Sequence, residues 1–366
     1  MMMVSSETFC AINLLRGALS IMVLLCHALH LTLFYQVSVQ SADPVELAPY
    51  MWFVERSVYW VYGFFILSGF CIHSSVLKRM RYGGFNLRSY MLARVTRIAP
   101  LYYIGFALAL AVELLAMSLG QRLPVWNTGV DFDHVVLQLF GVQGITGTFG
   151  CYAASWSLTH EEFYYLCWPL FVGTGKDPKR KPVLAATLVF LAFFAAAAWF
   201  GETNLLSIFG LGLFWLFGAM LVSRWSWLEK RSWLRKASQL WPLLFVGYYL
   251  LDWHLALPWS SLGFVLLNYL LIPVFFLMLV AFATWSSRSP RFVAFSQLLG
   301  DLSFPLYLFH GPVLILASSL VLYAGVDMPP FVFWGLLVAS GLLIGFVPGV
   351  VLERRILRWR RTIVGS

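Results

Sequence analysis

AINLLRGALSIMVLLCHALHLTLFY, residues 11–35, reads as a membrane span that carries an arginine and two histidines inside it. About 20 apolar residues suffice to cross the hydrocarbon core of a bilayer. An ionisable side chain in that medium is costly, so it faces a protein interior or a wet passage and marks a functional site by default. Arg16 and His27 stand eleven positions apart. Eleven steps of about 100° return nearly to the starting direction, with a rise of about 16 Å, and His30 lies one turn farther along the same side. One helix face therefore presents a fixed cation near one end and an imidazole well inside.

Working outward from this segment, the whole chain has the same character. It is 60% hydrophobic and 11% charged over 366 residues, which excludes a soluble globule and indicates an all-α polytopic membrane protein. Ten spans are expected, at about 11–35, 52–77, 97–119, 155–173, 182–200, 204–223, 240–256, 261–285, 300–323 and 331–353. The span at 240–256 is short and carries Pro242, Asp252 and His254, which makes it the weakest of the ten. The net charge of +9 does not point to nucleic acid, because the basic residues fall in alternate connections. Lys78 to Arg97 fill the second, Lys176 to Lys181 the fourth, Arg224 to Lys236 the sixth, Arg288 and Arg291 the eighth, and Arg354 to Arg361 the tail, against only Arg56 and Arg122 in the others. By the positive-inside rule both termini are cytoplasmic.

Residues 1–366 are thus expected to form a single transmembrane domain, with an outer loop at about 120–154, a short basic tail at about 354–366 and no appended soluble domain. The outer loop holds Pro124, Asp131, Asp133 and His134, and Trp52, Trp126, Trp156, Trp199, Trp253 and Trp259 sit where an outer aromatic belt would. The first segment is long, internally charged and lacks a small-residue exit, so it reads as retained rather than cleaved. Five scattered cysteines suggest no disulfide framework, and no metal-ligand spacing occurs, so no metal is expected.

Four further segments carry polar groups in apolar surroundings. WSLTHEEFYY, residues 156–165, opens the fourth span with His160, Glu161 and Glu162; Glu161 lies on the order of 10 Å inside the outer end, a depth similar to that of His27, so carboxylate and imidazole could meet. FFILSGF, residues 64–70, contains Ser68 and Gly69, suited to close helix approach or to a ligand hydrogen bond. YMLARVTRIAP, residues 90–100, places Arg94 and Arg97 on one face at the cytoplasmic surface, suited to phosphate. LGDLSFPLYLFH, residues 299–310, puts Tyr307 and His310 on adjoining turns near mid-membrane.

Taken together and in this order, the R-x10-H spacing, FFILSGF, RxxRxxP, WSLTHEEFYYLCWP and LSFPLYLFH resemble the blocks of the membrane-bound acyltransferase family 3 from about Asn13 to Pro312. Asn13 stands where an Asp is common, and His160 and Phe163 replace the usual Val and Gln, leaving His160 either in the site or facing outward. The resemblance implies an acyl-CoA donor taken from the cytoplasm as substrate, no permanently bound cofactor, and a hydroxyl acceptor such as a carbohydrate, lipid-linked in some cases, beside the membrane lipids. On this reading His27 is a general base, or alternatively an acyl carrier, with Glu161 or Glu162 orienting it or binding acceptor hydroxyls. Arg16, Arg94 and Arg97 hold the polar groups of the donor, with Ser68, Tyr307 and His310 as further donor-binding candidates. The expected reaction is O-acylation, most simply acetylation, at a bacterial cytoplasmic (inner) membrane. The bland readings are that Arg16 snorkels to headgroups, that the loop arginines only set topology, and that Ser68, Tyr307 and His310 serve packing. The competing function is a transporter or flippase with the same Arg, His and Glu as a proton relay, though no repeated halves are visible.

Overall fold

A computed structural model describes residues 5–82, 84–123, 130–172, 181–258, 261–287 and 289–364. Pro124, Trp126, Lys176, Lys179, Arg180, Trp259 and Arg288, which enter the sequence argument above, lie outside the described residues. Among the described residues the chain forms α-helices and no β-strand. In order these are α1 (Ser6–Ser38), α2 (Pro44–Glu55), α3 (Val58–Tyr82), α4 (Leu87–Leu119), α5 (Phe132–Leu139), α6 (Gln143–Thr146), α7 (Trp156–Val172) and α8 (Lys181–Phe200). They are followed by α9 (Thr203–Leu228), α10 (Ser232–Ala237), α11 (Trp241–Leu255), α12 (Leu262–Asn268), α13 (Leu271–Trp285), α14 (Pro290–Tyr323), α15 (Pro330–Ile344) and α16 (Val350–Val364).

Seven stretches among the described residues are long and apolar enough to cross a membrane: α1, α2 with α3, α4, α8, α9, α12 with α13, and α14. The spans expected at 155–173, 240–256 and 331–353 contain helices of 17, 15 and 15 residues. At about 1.5 Å per residue the 15 residues of α11 reach roughly 23 Å, short of a hydrocarbon core of roughly 30 Å. A 3-10 turn at Gly150–Ser155 leads into α7, α11 starts at Trp241 with Pro242 in its first turn and stops where Ala256 turns left-handed at φ 46, and α15 continues through a π-turn at Gly345–Gly349 into α16. The expected basic tail is helical as far as Val364, with Glu353 buried on its inner face. Nor is the Arg94 to Arg97 stretch a loop, since α4 begins at Leu87.

The chain divides into two compact units. The first comprises Met1–Arg16, Val61–Met91 and His160–Gln297. Its centre is the crossing of α3 and α9, where backbones meet with no side chain between them. A Cβ on Gly69 would run into the Trp215 carbonyl, and one on Gly218 into the Ile66 carbonyl. Around this crossing Phe190, Phe193 and Phe194 of α8 interleave with Phe209 and Tyr269, the Phe193 and Phe209 rings stacking at 5.0 Å. Asp252 of α11 is fully buried, and Tyr248 of α11, Asn268 and Tyr62 form a hydrogen-bonded chain, so the polar groups of this helix face the protein interior.

The second unit comprises Gly17–Trp60, Leu92–Thr159 and Leu298–Ser366. Here the expected outer loop, within its described part, is an ordered cap built on buried polar groups. Glu113 is 1% exposed and accepts from Arg122 Nε at 2.8 Å, from Arg122 Nη2 at 3.1 Å and from the Cys151 N–H at 2.5 Å. Gly150, at φ +43, presses against that carboxylate, where any Cβ would collide. Gln138 donates to Tyr102 and Ser155, Gln143 donates to the Ser155 carbonyl at 2.9 Å, and Tyr152 donates to the Tyr102 carbonyl at 2.8 Å. Burial, reinforced by Glu113, pushes the Cys151 thiol well above its ordinary range, and no disulfide joins any of the five cysteines. At the rim, Asp131 caps α5; the hydrogen bond from the His134 ring, then that from its backbone N–H, holds the Asp131 carboxyl below its ordinary value.

Two substitutions test these contacts by thermal unfolding of the detergent-purified protein. Gly69→Val must force the α3 and α9 backbones apart, and should cost about 1–3 kcal/mol by overpacking; an unchanged midpoint would mean that the crossing is looser than described. Glu113→Gln leaves a partly buried guanidinium without its charge partner, and should cost on the order of 3 kcal/mol. The same variant should expose the 130–155 segment to protease; equal cleavage rates would remove the clasp from the account.

Candidate functional site

α1 runs unbroken from Ser6 to Ser38, so Arg16 and His27 do lie on one continuous helix. Both are half-buried. In the second unit His27 Nδ1 lies 2.8 Å from Nε2 of His310, with the two ring centroids 5.0 Å apart and tilted by 31°. His310 is 1% exposed on α14, and its Nδ1 lies 3.0 Å from the Leu306 carbonyl one turn back. The other nitrogen of His27, Nε2, is 3.3 Å from the Ser57 hydroxyl. Ser57 belongs to the short break between α2 and α3, where its N–H bonds the Val54 carbonyl at 3.1 Å. Its neighbour Arg56 is 4% exposed, with its guanidinium 4.6 Å from the Trp52 ring centroid and 3.5 Å from Glu55.

Tyr307 lies one turn before His310, as its spacing suggests, with ring centroids 6.1 Å apart. Its hydroxyl is 2.8 Å from Ser157 Oγ, and both groups are buried. His27, His310, Tyr307, Ser57 and Ser157 thus form one polar cluster among apolar helices. His30, farther along α1, packs its ring 5.1 Å from Phe34. On α4, Arg97 forms an ion pair with buried Glu353 of α16, and its guanidinium lies 5.2 Å from the Phe304 ring centroid. Arg94, one turn earlier, is half-buried.

In the first unit Ser68 and Glu161, expected in separate roles, belong to one thread. Trp215 Nε1–H donates to Ser68 Oγ at 3.2 Å, Ser68 lies 2.8 Å from the Tyr165 hydroxyl, and Tyr165 donates to Glu161 Oε2 at 2.7 Å. An indole N–H only donates, and Tyr165 spends its proton on Glu161, so Ser68 must donate to Tyr165. Glu162, next in sequence, is half-buried. His160 faces inward: it is 1% exposed, 3.3 Å from Ser207 Oγ, with its ring 6.3 Å from that of Phe65. Phe163 packs against Tyr164 and Phe209.

Ser57, Ser157, Tyr165 and Trp215 are the participants that sequence reasoning did not single out. Tyr165 stands four residues after Glu161, so the i, i+4 rule for helical neighbours finds it. Ser157 lies within the quoted WSLT block, but nothing in that block distinguishes it. For Ser57 there is no local signal, since it reaches His27 only because the chain breaks between α2 and α3.

Comparison with known proteins matches residues 11–350 to the acyltransferase domain of family 3. Over 302 residues the chain is 26% identical to the exopolysaccharide production protein ExoZ of Rhizobium meliloti (strain 1021), an alignment that covers 81% of this chain and 88% of that protein. No solved structure matches it. The matched range takes in every candidate residue from Arg16 to His310 and all seven membrane-length stretches except the first five residues of α1. This integral membrane chain therefore belongs to the membrane-bound acyltransferase 3 family.

Proposed function

We propose that the protein is an O-acyltransferase that moves an acyl group, acetyl foremost, from acyl-CoA to a hydroxyl of a carbohydrate, with His27 as general base. The carrying observation is an imidazole inside a membrane-length helix with both ring nitrogens in hydrogen bonds, one of them to a hydroxyl. In the reaction the acceptor oxygen attacks the thioester carbonyl while its proton passes to His27 Nε2. The carbon–sulfur bond breaks, and coenzyme A leaves as the thiol once that proton is returned. A positioned base of this kind is worth about 10²–10⁴ in rate. The name of the relative, an exopolysaccharide production protein, supports a carbohydrate acceptor.

The remaining assignments follow from residue chemistry. Arg16, Arg94 and Arg97 are cations suited to the phosphates of coenzyme A, which guanidinium groups bind in bidentate fashion. For Arg97 the ion pair with Glu353 holds the guanidinium in place while its side chain keeps 21% exposure. Tyr307 and Ser68 supply hydroxyls to the donor, and Glu161 and Glu162 accept from sugar hydroxyls. The distribution of basic residues supports ten crossings, with α7 and α11 as the short ones, both termini in the cytoplasm, and a bacterial inner membrane as the location. Membership of an acyltransferase family sets the transporter reading aside.

The test is mass spectrometry of surface polysaccharide from a strain lacking the protein, joined to an assay of coenzyme A release by the purified protein with labelled acetyl-CoA. Deletion should remove one ester, restored by the wild-type gene but not by His27→Ala, and the purified variant should lose at least a hundredfold in turnover with an unchanged unfolding midpoint. Wild-type turnover in that variant ends the general-base reading. Arg16→Gln should raise KM for acyl-CoA roughly tenfold, the loss expected of one charge-assisted contact; an effect confined to kcat would move Arg16 out of donor binding.

A further inference from the structure

The hydrogen bonds around His27 determine which of its nitrogens carries the proton. A backbone carbonyl can only accept, so His310 Nδ1, 3.0 Å from the Leu306 carbonyl, must be the protonated nitrogen of that ring. In neutral His310 the lone pair is then on Nε2, which faces His27 Nδ1 at 2.8 Å. His27 has to donate there, and this leaves His27 Nε2 as a lone pair. The Ser57 hydroxyl, 3.3 Å away, donates to it. Each step follows from the one before, and the first is fixed by the backbone of α14. The second nitrogen of a histidine sets the state of the first in this way wherever imidazoles act.

We propose that His310 is a positioning residue that imposes the Nδ1–H tautomer on His27 and aims Nε2 at the place where an acceptor hydroxyl must sit. The proposal rests on the general-base reading above and assigns His310 a role other than donor binding. Ser57 supplies the direction: its hydroxyl already makes the contact that the acceptor hydroxyl would make in the reaction. Tyr307, tied to Ser157 at 2.8 Å, braces the turn of α14 that carries the Leu306 carbonyl and the His310 ring. With an apolar residue at 310, His27 is released to the other tautomer, whose proton occupies Nε2 and blocks the base. In a serine protease triad the comparable error of tautomer costs about 10⁴ in kcat.

The experiment compares His310→Leu with His310→Gln in the full-length detergent-purified protein. Acetyl-CoA and, in parallel, succinyl-CoA serve as donors, with polysaccharide from the deletion strain as acceptor. Leu fills the space but accepts nothing, whereas the Gln side-chain oxygen can accept from His27 Nδ1. We expect His310→Leu to lower kcat by about 10²–10⁴ with KM for the donor unchanged, and His310→Gln to recover at least tenfold over it. Equal kcat in the two variants, at equal unfolding midpoints, overturns the proposal in favour of packing alone. A loss that appears in donor KM rather than kcat overturns it in favour of donor binding. His27→Ala run alongside separates the two levels of the argument: if it turns over as wild type, or if wild type transfers from neither donor, the general-base reading falls. If only His27→Ala is dead while the two position-310 variants match, positioning alone falls.

Discussion

The His27 to His310 hydrogen bond meets a constraint imposed by the surroundings of these helices. Inside hydrocarbon no water is at hand to satisfy a polar group, so a donor that the protein itself does not answer is costly. Both units solve this with short directional chains. In one, the sequence of donors runs from Ser57 through His27 and His310 to the Leu306 carbonyl. In the other it runs from Trp215 through Ser68 and Tyr165 to Glu161. Each chain begins at a group with a proton to give and ends on an acceptor, so the protons within it point one way. A chain of that kind holds its members more firmly than isolated pairs would, since no link can reverse without leaving an end unsatisfied.

Packing makes these chains possible. Ser68 reaches the Trp215 indole because the neighbouring Gly69 lets the α3 backbone lie directly on the Trp215 carbonyl, and Gly218 repeats the contact one turn on. The second unit uses the same device at Gly311, where a Cβ would strike the Cys151 carbonyl. Cys151 is the residue whose N–H the Glu113 carboxylate holds. The clasp of Glu113 and Arg122 therefore seats the cap on α14 one residue beyond His310. A surface loop acquires in this way a structural bearing on the imidazole pair, and buried Glu113, in the apolar second half of α4, has its reason.

Periodicity is what the sequence makes legible, and long-range pairing is what it does not. The stretch around Arg16 and His27 has no proline and a steady apolar pattern, so an unbroken helix with the two residues eleven apart could be read directly. Ser68 beside Gly69 likewise announces a close approach. By contrast Arg97 looks like any loop cation, because Glu353, its partner, stands more than 250 positions later, at the end of the last expected span, where no local pattern connects the two. The shortness of α11 is hidden for a related reason: hydropathy records apolar residues up to and through the left-handed Ala256 without recording that the helix ends there. His27 and His310 were each picked out singly. Their contact depends on how α1 and α14 pack, and no local pattern states that.

A neutral imidazole as the partner of a neutral imidazole suits a site of this kind. The more familiar arrangement, a carboxylate behind the base, fixes the tautomer equally well and adds a negative charge that steadies the imidazolium formed in the reaction. That charge must itself be taken out of water, and within a membrane-length helix the cost of doing so is large. His310 gives orientation without a net charge, and it passes the requirement for a fixed acceptor to a backbone carbonyl that the helix supplies already. The drawback is weaker support for the positive charge that His27 develops when it takes a proton. Chemistry matched to this compromise keeps that charge brief: the proton accepted from the hydroxyl goes on to the departing thiolate, a far better leaving group than an alkoxide, so the base returns to neutrality within the same turnover.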